Sequence, residues 1–223
     1  MKLYSLRYSP YARKVQLLLD LLPASYELVE VPYGHRDELA ALTGGYIQVP
    51  VLVDDTGAVT VDSRAICEKL LAGPAGTRLV PSPLEGPIWA YADFADNTLE
   101  DVMFRIASPA IRDAWSNPFE RGLYVFIKER KFGAGCVDAW QRDREPLIAR
   151  ARHLLAPTLA TLERRPFLFG ESPTLADAAL YGECAMIEQG DKELLSRISP
   201  PLLPYVRRLE RFAADHKGKL GAG

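Results

Sequence analysis

A serine followed by a proline stands near the start of the chain, in the segment YSPYARKV (residues 8–15). A serine before a proline that opens a helix is typical of an N-cap, because its hydroxyl accepts a hydrogen bond from a free backbone N–H and the proline takes the first helical position. The same location puts the Ser9 hydroxyl at the positive end of a helix dipole, where an anion is stabilised. The segment therefore predicts either a helix cap or an anion-binding hydroxyl at Ser9.

A second pair of polar residues, Asp62 and Ser63, precedes another run with helical spacing. The start of such a helix presents backbone N–H groups to a carboxylate, and the side chain of Asp62 is suited to an ammonium group. Simple capping of the helix is the alternative for this pair.

The sequence gives little indication of a metal site or of redox chemistry. The three cysteines and three histidines are widely spaced and form no Cys-x-x-Cys pair. This spacing argues against a disulfide framework and a structural zinc site, so we expect no metal. Phosphate-binding glycine loops and the G-x-S-x-G nucleophile motif are also missing from the sequence.

The composition is that of an ordinary globular protein of 223 residues, with 48% hydrophobic and 25% charged residues. A formal charge of -2 gives no electrostatic reason to expect nucleic acid or a membrane as a partner. The short basic run KERK (residues 128–131) predicts a solvated helix face. Because no segment approaches the ~18 apolar residues of a membrane span and charges interrupt any signal-peptide core, we expect a cytoplasmic protein.

The apolar spacing predicts a β-α-β-α-β-β-α order over the first part of the chain. Strands are predicted at residues 2–6 and 26–31. Two more strands are predicted within 49–61, where they form a hairpin that turns at 55–57. Helices are predicted after Pro10 and at 37–45 and 63–71.

The remainder of the chain has helical periodicity only. Residues 73–87 are rich in proline and glycine, which indicates a boundary between an N-terminal domain (1–77), a linker (78–86) and an all-helical domain (87–223). Thr174 and Asp177 have the spacing of a capping box. Helical runs are predicted at 88–106, 120–131, 138–164, 175–189 and 202–214.

Four of these segments, taken in order, resemble the glutathione transferase family. YSPYARKV resembles the strand-to-helix segment in which Ser, Cys or Tyr faces the thiol of glutathione. VPVL (residues 49–52) resembles the turn with a cis proline, where the preceding residue pairs through its backbone with the cysteinyl part of glutathione. DSRAI (62–66) resembles the step that opens the third helix and holds the γ-glutamyl group, and PTLADAAL (173–180) resembles the capping segment of the helical domain.

The resemblance implies a thioredoxin-like N-terminal domain followed by a C-terminal helical bundle that contributes an electrophile pocket. It further implies glutathione as co-substrate, a small apolar electrophile, a role in detoxification and a homodimer. By the same resemblance Ser9 is the catalytic residue, and glutathione is bound by Ser9, Val49, Pro50, Asp62 and Ser63.

The chemistry of a thiol is consistent with that role for Ser9. A thiol with a pKa of ~8.5 is only ~3% thiolate at pH 7, and the thiolate is the nucleophile. Because Ser9 cannot form a mixed disulfide, the expected reaction is attack on an electrophile rather than thiol-disulfide exchange. The electrophile is expected beside Phe104, Ile111 and Trp115.

Several alternatives remain open at the level of sequence. Tyr8 competes with Ser9 as the residue that activates the thiol, whereas Cys136 is expected to be dispensable. His35 and Arg36 are attractive partners for the glycyl carboxylate, but a cation in a loop is usually just solvated, and the sequence leaves this undecided for both. A glutathione-dependent isomerase or dehalogenase, or a non-catalytic interaction module, would use the same scaffold.

Overall fold

A four-stranded mixed sheet flanked by three helices forms the N-terminal part of the computed structural model, which describes residues 1–216. The strand order is β2-β1-β3-β4; β1 is parallel to β2 and antiparallel to β3, which is antiparallel to β4. The elements are β1 (Lys2–Ser5), α1 (Pro10–Leu21), β2 (Glu27–Glu30), α2 (Asp37–Thr43), β3 (Val51–Val53), β4 (Val59–Val61) and α3 (Ser63–Leu71). The predicted β-α-β-α-β-β-α order and thioredoxin-like fold are confirmed.

Local chemistry explains the predicted hairpin between β3 and β4. The Asp54 carboxylate accepts hydrogen bonds from the backbone N–H of Thr56 at 2.9 Å and of Ala58 at 3.0 Å. Gly57 has a φ of 84°, a conformation that favours glycine. The hairpin brings Val51 and Val61 into register, and α3 begins two residues after Val61.

The rest of the described chain is almost entirely helical, as predicted. Its helices are α4 (Glu85–Asp93), α5 (Glu100–Ala114), α6 (Pro118–Phe132), α7 (Cys136–Arg142), α8 (Arg144–Leu162), α9 (Leu175–Gly190), α10 (Lys192–Ile198) and α11 (Leu202–His216). The last seven residues of the predicted helical domain, 217–223, lie outside the described residues.

Four details differ from the predicted helices. A π-helical segment, Phe94–Leu99, joins α4 to α5 inside the apolar stripe that predicted one helix. The predicted helix at 138–164 is two helices, α7 and α8, which meet at Asp143, and α10 was not predicted. The segment 73–87, rich in proline and glycine, contains 3₁₀ turns at Pro74–Arg78 and Ser82–Leu84, each with a proline in its first turn. The domain boundaries themselves stay a prediction.

Helix α9 lies at the centre of the helical part, and its residues from Leu175 to Ile187 are buried. Its first turn is held by Asp177, which is fully buried and accepts hydrogen bonds from the backbone N–H and hydroxyl of Thr174, both at 2.8 Å. The same carboxylate accepts from the Leu168 N–H at 2.9 Å and from the Tyr205 hydroxyl at 2.8 Å. The predicted capping box is confirmed, and it also ties α9 to α11.

Helices α1 and α9 approach each other closely at Gly182. A Cβ added at this position would lie 2.3 Å from the carbonyl oxygen of Pro10 and 3.2 Å from the backbone nitrogen of Lys14. Any side chain at residue 182 would therefore push α1 away from α9. The start of α1, where Ser9 lies, is thus positioned directly by the helical part.

A buried ion pair fixes α1 on its other side. The Lys14 side chain is 3% exposed and donates to the carboxylate of Asp96, in the π-helical segment. The Tyr11 hydroxyl donates to the backbone carbonyl of Asp96 at 3.1 Å. Because an unpaired charge is costly in a protein interior, this pair holds α1 and the π-helical segment in one arrangement.

Replacement of Asp177 tests the central position of α9. Asp177→Ala leaves two N–H groups and two hydroxyls without their buried acceptor, so we expect urea denaturation to show a free energy of unfolding lower by at least about 3 kcal/mol. Asp191, which caps α10 by accepting from the Glu193 N–H at 2.9 Å, is the matched exposed control. Asp191→Ala should cost about 0.5 to 2 kcal/mol. Equal losses in the two variants would contradict a special role for Asp177.

Candidate active site

Two adjoining cavities lie between the sheet domain and the helical part. The Ser9 cavity, of about 400 Å³, extends from Ser9 to Phe104 and Lys128. The Asp62 cavity, also about 400 Å³, extends from Asp62 to Lys131. Four residues line both cavities: Tyr11, Gln48, Val49 and Glu100. The two cavities therefore form one continuous cleft.

All five residues predicted from the sequence line this cleft. Ser9 and Val49 line the Ser9 cavity, and Val49, Pro50, Asp62 and Ser63 line the Asp62 cavity. The Val49–Pro50 peptide bond is cis, as predicted. The structure thus brings together side chains that are more than fifty residues apart in the sequence.

Ser9 has the geometry of an N-cap. Its backbone is extended, with φ −84° and ψ 114°, and its Oγ accepts a hydrogen bond from the Ala12 N–H at 3.3 Å. Pro10 occupies the first helical position, as predicted. Since a hydroxyl accepts and donates at the same time, this cap leaves the Ser9 O–H proton available to a ligand in the cavity. Capping and anion binding are therefore compatible at Ser9.

Asp62 caps α3 from an unusual backbone conformation. It has a φ of 73°, the one positive φ of a non-glycine residue among residues 1–216. Its Oδ1 accepts from the Arg64 N–H at 2.8 Å and from the Ala65 N–H at 3.3 Å. A non-glycine residue in this region costs on the order of 1–3 kcal/mol, and such strain concentrates at functional sites. Both hydrogen bonds use Oδ1, so Oδ2 is available to a ligand.

The Asp62 cavity is predominantly acidic. Four carboxylates line it, those of Asp62, Asp93, Asp96 and Glu100, against the cations of Arg64 and Lys131. Asp96 is paired with Lys14, and Arg64 donates to Asp93 at 2.7 Å. Burial raises the pKa of Glu100 to about 7. This excess of acidic groups is suited to the ammonium group of a ligand.

A fully buried carboxyl lies below the cleft, at Glu183 of α9. Burial raises its pKa well above the usual value, and the nearby charges of Glu100 and Asp96 raise it further. Its Oε2 has no hydrogen-bond partner within residues 1–216. Glu183 is therefore more readily protonated than an exposed glutamate.

Tyr8 lines the Ser9 cavity and belongs to a cluster of aromatic rings. Its ring centroid is 5.5 Å from that of Trp115 and 6.0 Å from those of Tyr33 and Tyr124. Its hydroxyl is buried and has no partner in the described part of the chain. Burial raises the pKa of Tyr8 far above its usual value. The Tyr8 ring therefore borders the cavity that Ser9 lines while its hydroxyl is buried, and Tyr8 stays the competitor of Ser9 for activating the thiol.

The three residues predicted to lie beside the electrophile line two different cavities, and Tyr8 lines both of these cavities. Phe104 lines the Ser9 cavity, but Ile111 and Trp115 line a separate cavity of about 230 Å³ together with Arg7 and Tyr8. Ile111 lies two turns beyond Phe104 on α5, about 10 Å farther along the helix axis. The aromatic cluster around Tyr8 separates the two cavities.

The solvated helix face predicted for residues 128–131 is present at Arg130 and Lys131, which are exposed, but it does not include Lys128. Lys128 is half-buried and lines the Ser9 cavity, and Lys131 lines the Asp62 cavity. Lys128 lies one helical turn after Tyr124, which is fully buried, so both side chains face inward. The sequence signal for this inward orientation was Tyr124, an aromatic residue four positions before Lys128 in a segment that otherwise looks like a run of charges.

The structure separates the two cations that the sequence left undecided. Arg36 lines the Ser9 cavity, where it donates to the backbone carbonyls of Tyr33 at 3.2 Å and Ile47 at 3.3 Å. Burial lowers the pKa of its guanidinium. His35 lines a different cavity, behind β2 and α2. Arg36 is therefore the cation of this pair that faces the cleft.

Residues 1–216 contain neither a metal-binding cluster nor a membrane-spanning helix. No cluster of His, Cys, Asp or Glu there has the arrangement of a metal site. None of the helices in this range has the length and apolar character needed to cross a membrane.

Residues 3–78 match the family model described as glutathione S-transferase, N-terminal domain. A search of curated proteins finds no match.

Several solved structures share the fold. A glutathione S-transferase of Ceriporiopsis subvermispora, in complex with glutathione, is 19% identical with a TM-score of 0.75, over 96% of this chain and 98% of that one. One from Pseudomonas fluorescens is 23% identical with a TM-score of 0.63, over 93% of this chain and 92% of that one. Glutaredoxin 2 of Salmonella typhimurium, in complex with glutathione, is 18% identical with a TM-score of 0.63, over 89% of this chain and 98% of that one. The family model thus matches the N-terminal part of the chain, and the solved structures share the fold of nearly the whole chain.

The buried Tyr8 hydroxyl gives a prediction about stability. Because it lacks a hydrogen-bond partner, Tyr8→Phe removes an unsatisfied polar group, and the free energy of unfolding should stay unchanged or rise by about 1 kcal/mol. Tyr124→Phe is the matched control, since the Tyr124 hydroxyl donates to Ser108 Oγ at 3.1 Å. That variant should lose about 1 kcal/mol in the same urea titration. A larger loss in Tyr8→Phe than in Tyr124→Phe would mean that the Tyr8 hydroxyl has a partner.

Proposed function

We propose that the protein is a glutathione transferase that activates the thiol of glutathione for attack on a small apolar electrophile. The observation that carries this proposal is the continuous cleft in which the Ser9 hydroxyl, the Val49–Pro50 turn and the start of α3 are brought together. The match of residues 3–78 to the N-terminal domain of glutathione S-transferases supports it. So does the shared fold with two neighbours described in complex with glutathione.

The cleft matches glutathione group by group. Glutathione is an extended peptide with two carboxylates and one ammonium group, so it needs free backbone groups, a cation, a helix start and an acid. In the proposed complex the α-carboxylate of the γ-glutamyl group lies at Ser63, at the start of α3, and its ammonium group lies at Asp62. The backbone of Val49 pairs with the cysteinyl residue, and Arg36 binds the glycyl carboxylate. The thiol then points into the Ser9 cavity.

Ser9 supplies enough stabilisation to activate the thiol. Lowering a thiol pKa by about two units takes roughly 2.7 kcal/mol of preferential stabilisation of the thiolate. A hydroxyl that donates to an anion contributes roughly 1.5 to 3 kcal/mol, and a helix N-terminus adds about 0.3 to 1. The thiolate sulfur then attacks a carbon of the electrophile, which lies between Ser9 and the helical wall at Phe104.

The cysteines of this chain are poorly suited to thiol-disulfide chemistry in the cleft. Cys67, Cys136 and Cys184 are buried, and none of them lines either cavity. Burial raises the pKa of Cys67 to about 11 and also raises that of Cys136. Cys136 packs with Val137 and Trp140, away from Ser9. These positions favour conjugation by bound glutathione and a dispensable Cys136.

Several parts of the proposal rest on the sequence alone. A homodimer and a role in detoxification follow from the resemblance to the family, and a cytoplasmic location follows from the composition. An isomerase or dehalogenase would use the same cleft. A non-catalytic module would bind glutathione without turning over any member of a broad panel of electrophiles.

Two substitutions at Ser9 separate capping from catalysis. Ser9→Ala removes both roles, so we expect a stability loss of about 0.5 to 2 kcal/mol. It should also raise the bound thiol pKa by about one to two units, with a matching loss of kcat/KM near neutrality and partial recovery at alkaline pH. Ser9→Asp keeps a good cap but replaces the donor with a carboxylate, so stability should hold while the rate falls at least as far.

The measurements are urea denaturation and the pH dependence of kcat/KM, with glutathione omitted as the background. Tyr8→Phe serves as the comparison variant and should keep the wild-type pH profile. If Ser9→Asp retained the wild-type rate, the Ser9 hydroxyl would be a cap only.

A further inference from the structure

Lys128 is a cation that lines the Ser9 cavity, where Glu100 is the one carboxyl that also lines it, and the two form no ion pair within residues 1–216. Its Nζ lies 4.5 Å from the ring centroid of Tyr124 and 5.0 Å from that of Phe104. No ion pair within residues 1–216 includes Lys128. Helix α6 places Lys128 in the cavity that Ser9 also lines. Ring faces attract a cation but do not neutralise it. The cavity therefore offers a positive charge to whatever binds opposite Ser9.

The surroundings of Lys128 disfavour its charge in the empty cavity. Burial lowers its pKa to about 8, and Lys131 on the same helix lowers it further. Glu100 of α5 and Cys136 of α7 act in the opposite direction. A lysine with a pKa close to neutrality binds an anionic oxygen and also gives up a proton readily.

The charged groups of glutathione have other partners in the proposed complex. Arg36 is available to the glycyl carboxylate, and the start of α3 with Asp62 is available to the γ-glutamyl group. Lys128 lies on the opposite wall, beside Phe104 and Ile127, where the electrophile is expected. In the proposed complex Lys128 therefore contacts the electrophile, which is the second substrate, and not glutathione.

We infer that Lys128 binds the carbonyl oxygen of electrophiles in which a carbon–carbon double bond is conjugated to a carbonyl group, and that it donates the proton which completes the addition. This inference rests on the proposed function and names its substrate class. Phe104 and Tyr124 provide apolar and aromatic surface for the carbon skeleton of such a compound.

The addition balances without any further reagent. The thiolate sulfur forms a bond to the β-carbon, the π electrons of the double bond move toward the carbonyl, and negative charge collects on the carbonyl oxygen. The Lys128 ammonium stabilises that enolate and transfers one proton to it, which gives the saturated thioether after tautomerisation. Lys128 regains its proton from water, which had received the proton of the glutathione thiol.

Displacement of a halide makes no use of such a lysine. In that reaction the sulfur–carbon bond forms as the carbon–halogen bond breaks, and the negative charge leaves with the halide. No proton has to be supplied to the product. A lysine that both binds an oxyanion and donates a proton is therefore specific to the addition reaction.

The test compares Lys128→Met with the wild type on two electrophiles, 4-phenyl-3-buten-2-one and benzyl chloride. Methionine keeps the length and the packing against Tyr124 and Phe104 but removes the charge. We expect kcat/KM for the enone to fall by about 10²-fold, as for the loss of a general acid. The value for benzyl chloride and the Kd of glutathione should stay within about twofold of the wild type. Arg130→Met, an exposed cation on the same helix, is the control and should change neither rate.

The pH profile provides a second, independent measurement on the wild type. The enone rate should rise as the thiol ionises and decline again above about pH 8, where Lys128 loses its proton. The benzyl chloride rate should rise to a plateau without that decline.

If the Lys128→Met variant does not fold, Lys128→Gln replaces it in the comparison of the two electrophiles.

Each result of these measurements either supports the inference about Lys128 or contradicts it. Equal loss of both rates, or loss of glutathione affinity, would show that Lys128 serves glutathione or the cavity shape and would overturn the inference while leaving the proposed function intact. Unchanged enone turnover in the variant would also overturn it. If wild-type protein binds glutathione but converts neither electrophile, the proposed function itself fails.

Discussion

The close approach of α1 and α9 at Gly182 is the constraint on which the cleft depends. The carbonyl of Pro10, the residue after Ser9, lies where a side chain at residue 182 would stand. This contact sets the start of α1 directly on the most buried helix of the molecule. The Asp177 carboxylate holds that helix at its own start, and the Lys14–Asp96 pair holds α1 against the π-helical segment. The location of Ser9 is therefore a property of the helical part as much as of the sheet domain.

The same arrangement determines the electrostatics of the cleft. Phe94–Leu99 and the helix that follows bring Asp96 and Glu100 toward α1, so the Asp62 cavity is acidic. Helix α6 brings Lys128 to the other cavity, which also contains Arg36 and is bordered by aromatic rings. Acidic groups thus predominate in the Asp62 cavity and basic groups in the Ser9 cavity, and Glu100 lines both. A zwitterionic peptide with its ammonium group at one end fits this distribution in one direction only.

The sequence predicted the features that depend on neighbouring residues. The cap at Ser9, the capping box at Thr174 and the hairpin stabilised by Asp54 are formed by hydrogen bonds between residues a few positions apart, and all are present. Their residue types are sufficient to specify them. The order of strands and helices followed from apolar periodicity for the same reason.

Features that depend on how distant elements pack could not be predicted from the sequence. Lys128 looked like part of a solvated charge run because nothing local reveals that α6 lies across the cavity. Ile111 lies on the same helix as Phe104 but two turns away, where the aromatic cluster around Tyr8 closes off the Ser9 cavity. The break between α7 and α8 leaves the apolar period almost unchanged, so periodicity predicted one helix. In each case the missing information was the position of another element.

The central claim is that this cleft lowers the pKa of a bound glutathione thiol, and titration of the thiolate absorbance near the ultraviolet edge tests it most directly. The measurement uses the wild-type protein saturated with glutathione, with protein alone as the reference. Burial raises the pKa of the three cysteines of the chain, so their thiols stay protonated in the neutral range. The account predicts a bound thiol with a pKa about two units below the ordinary value of ~8.5. A bound thiol that titrates at its ordinary pKa would contradict it.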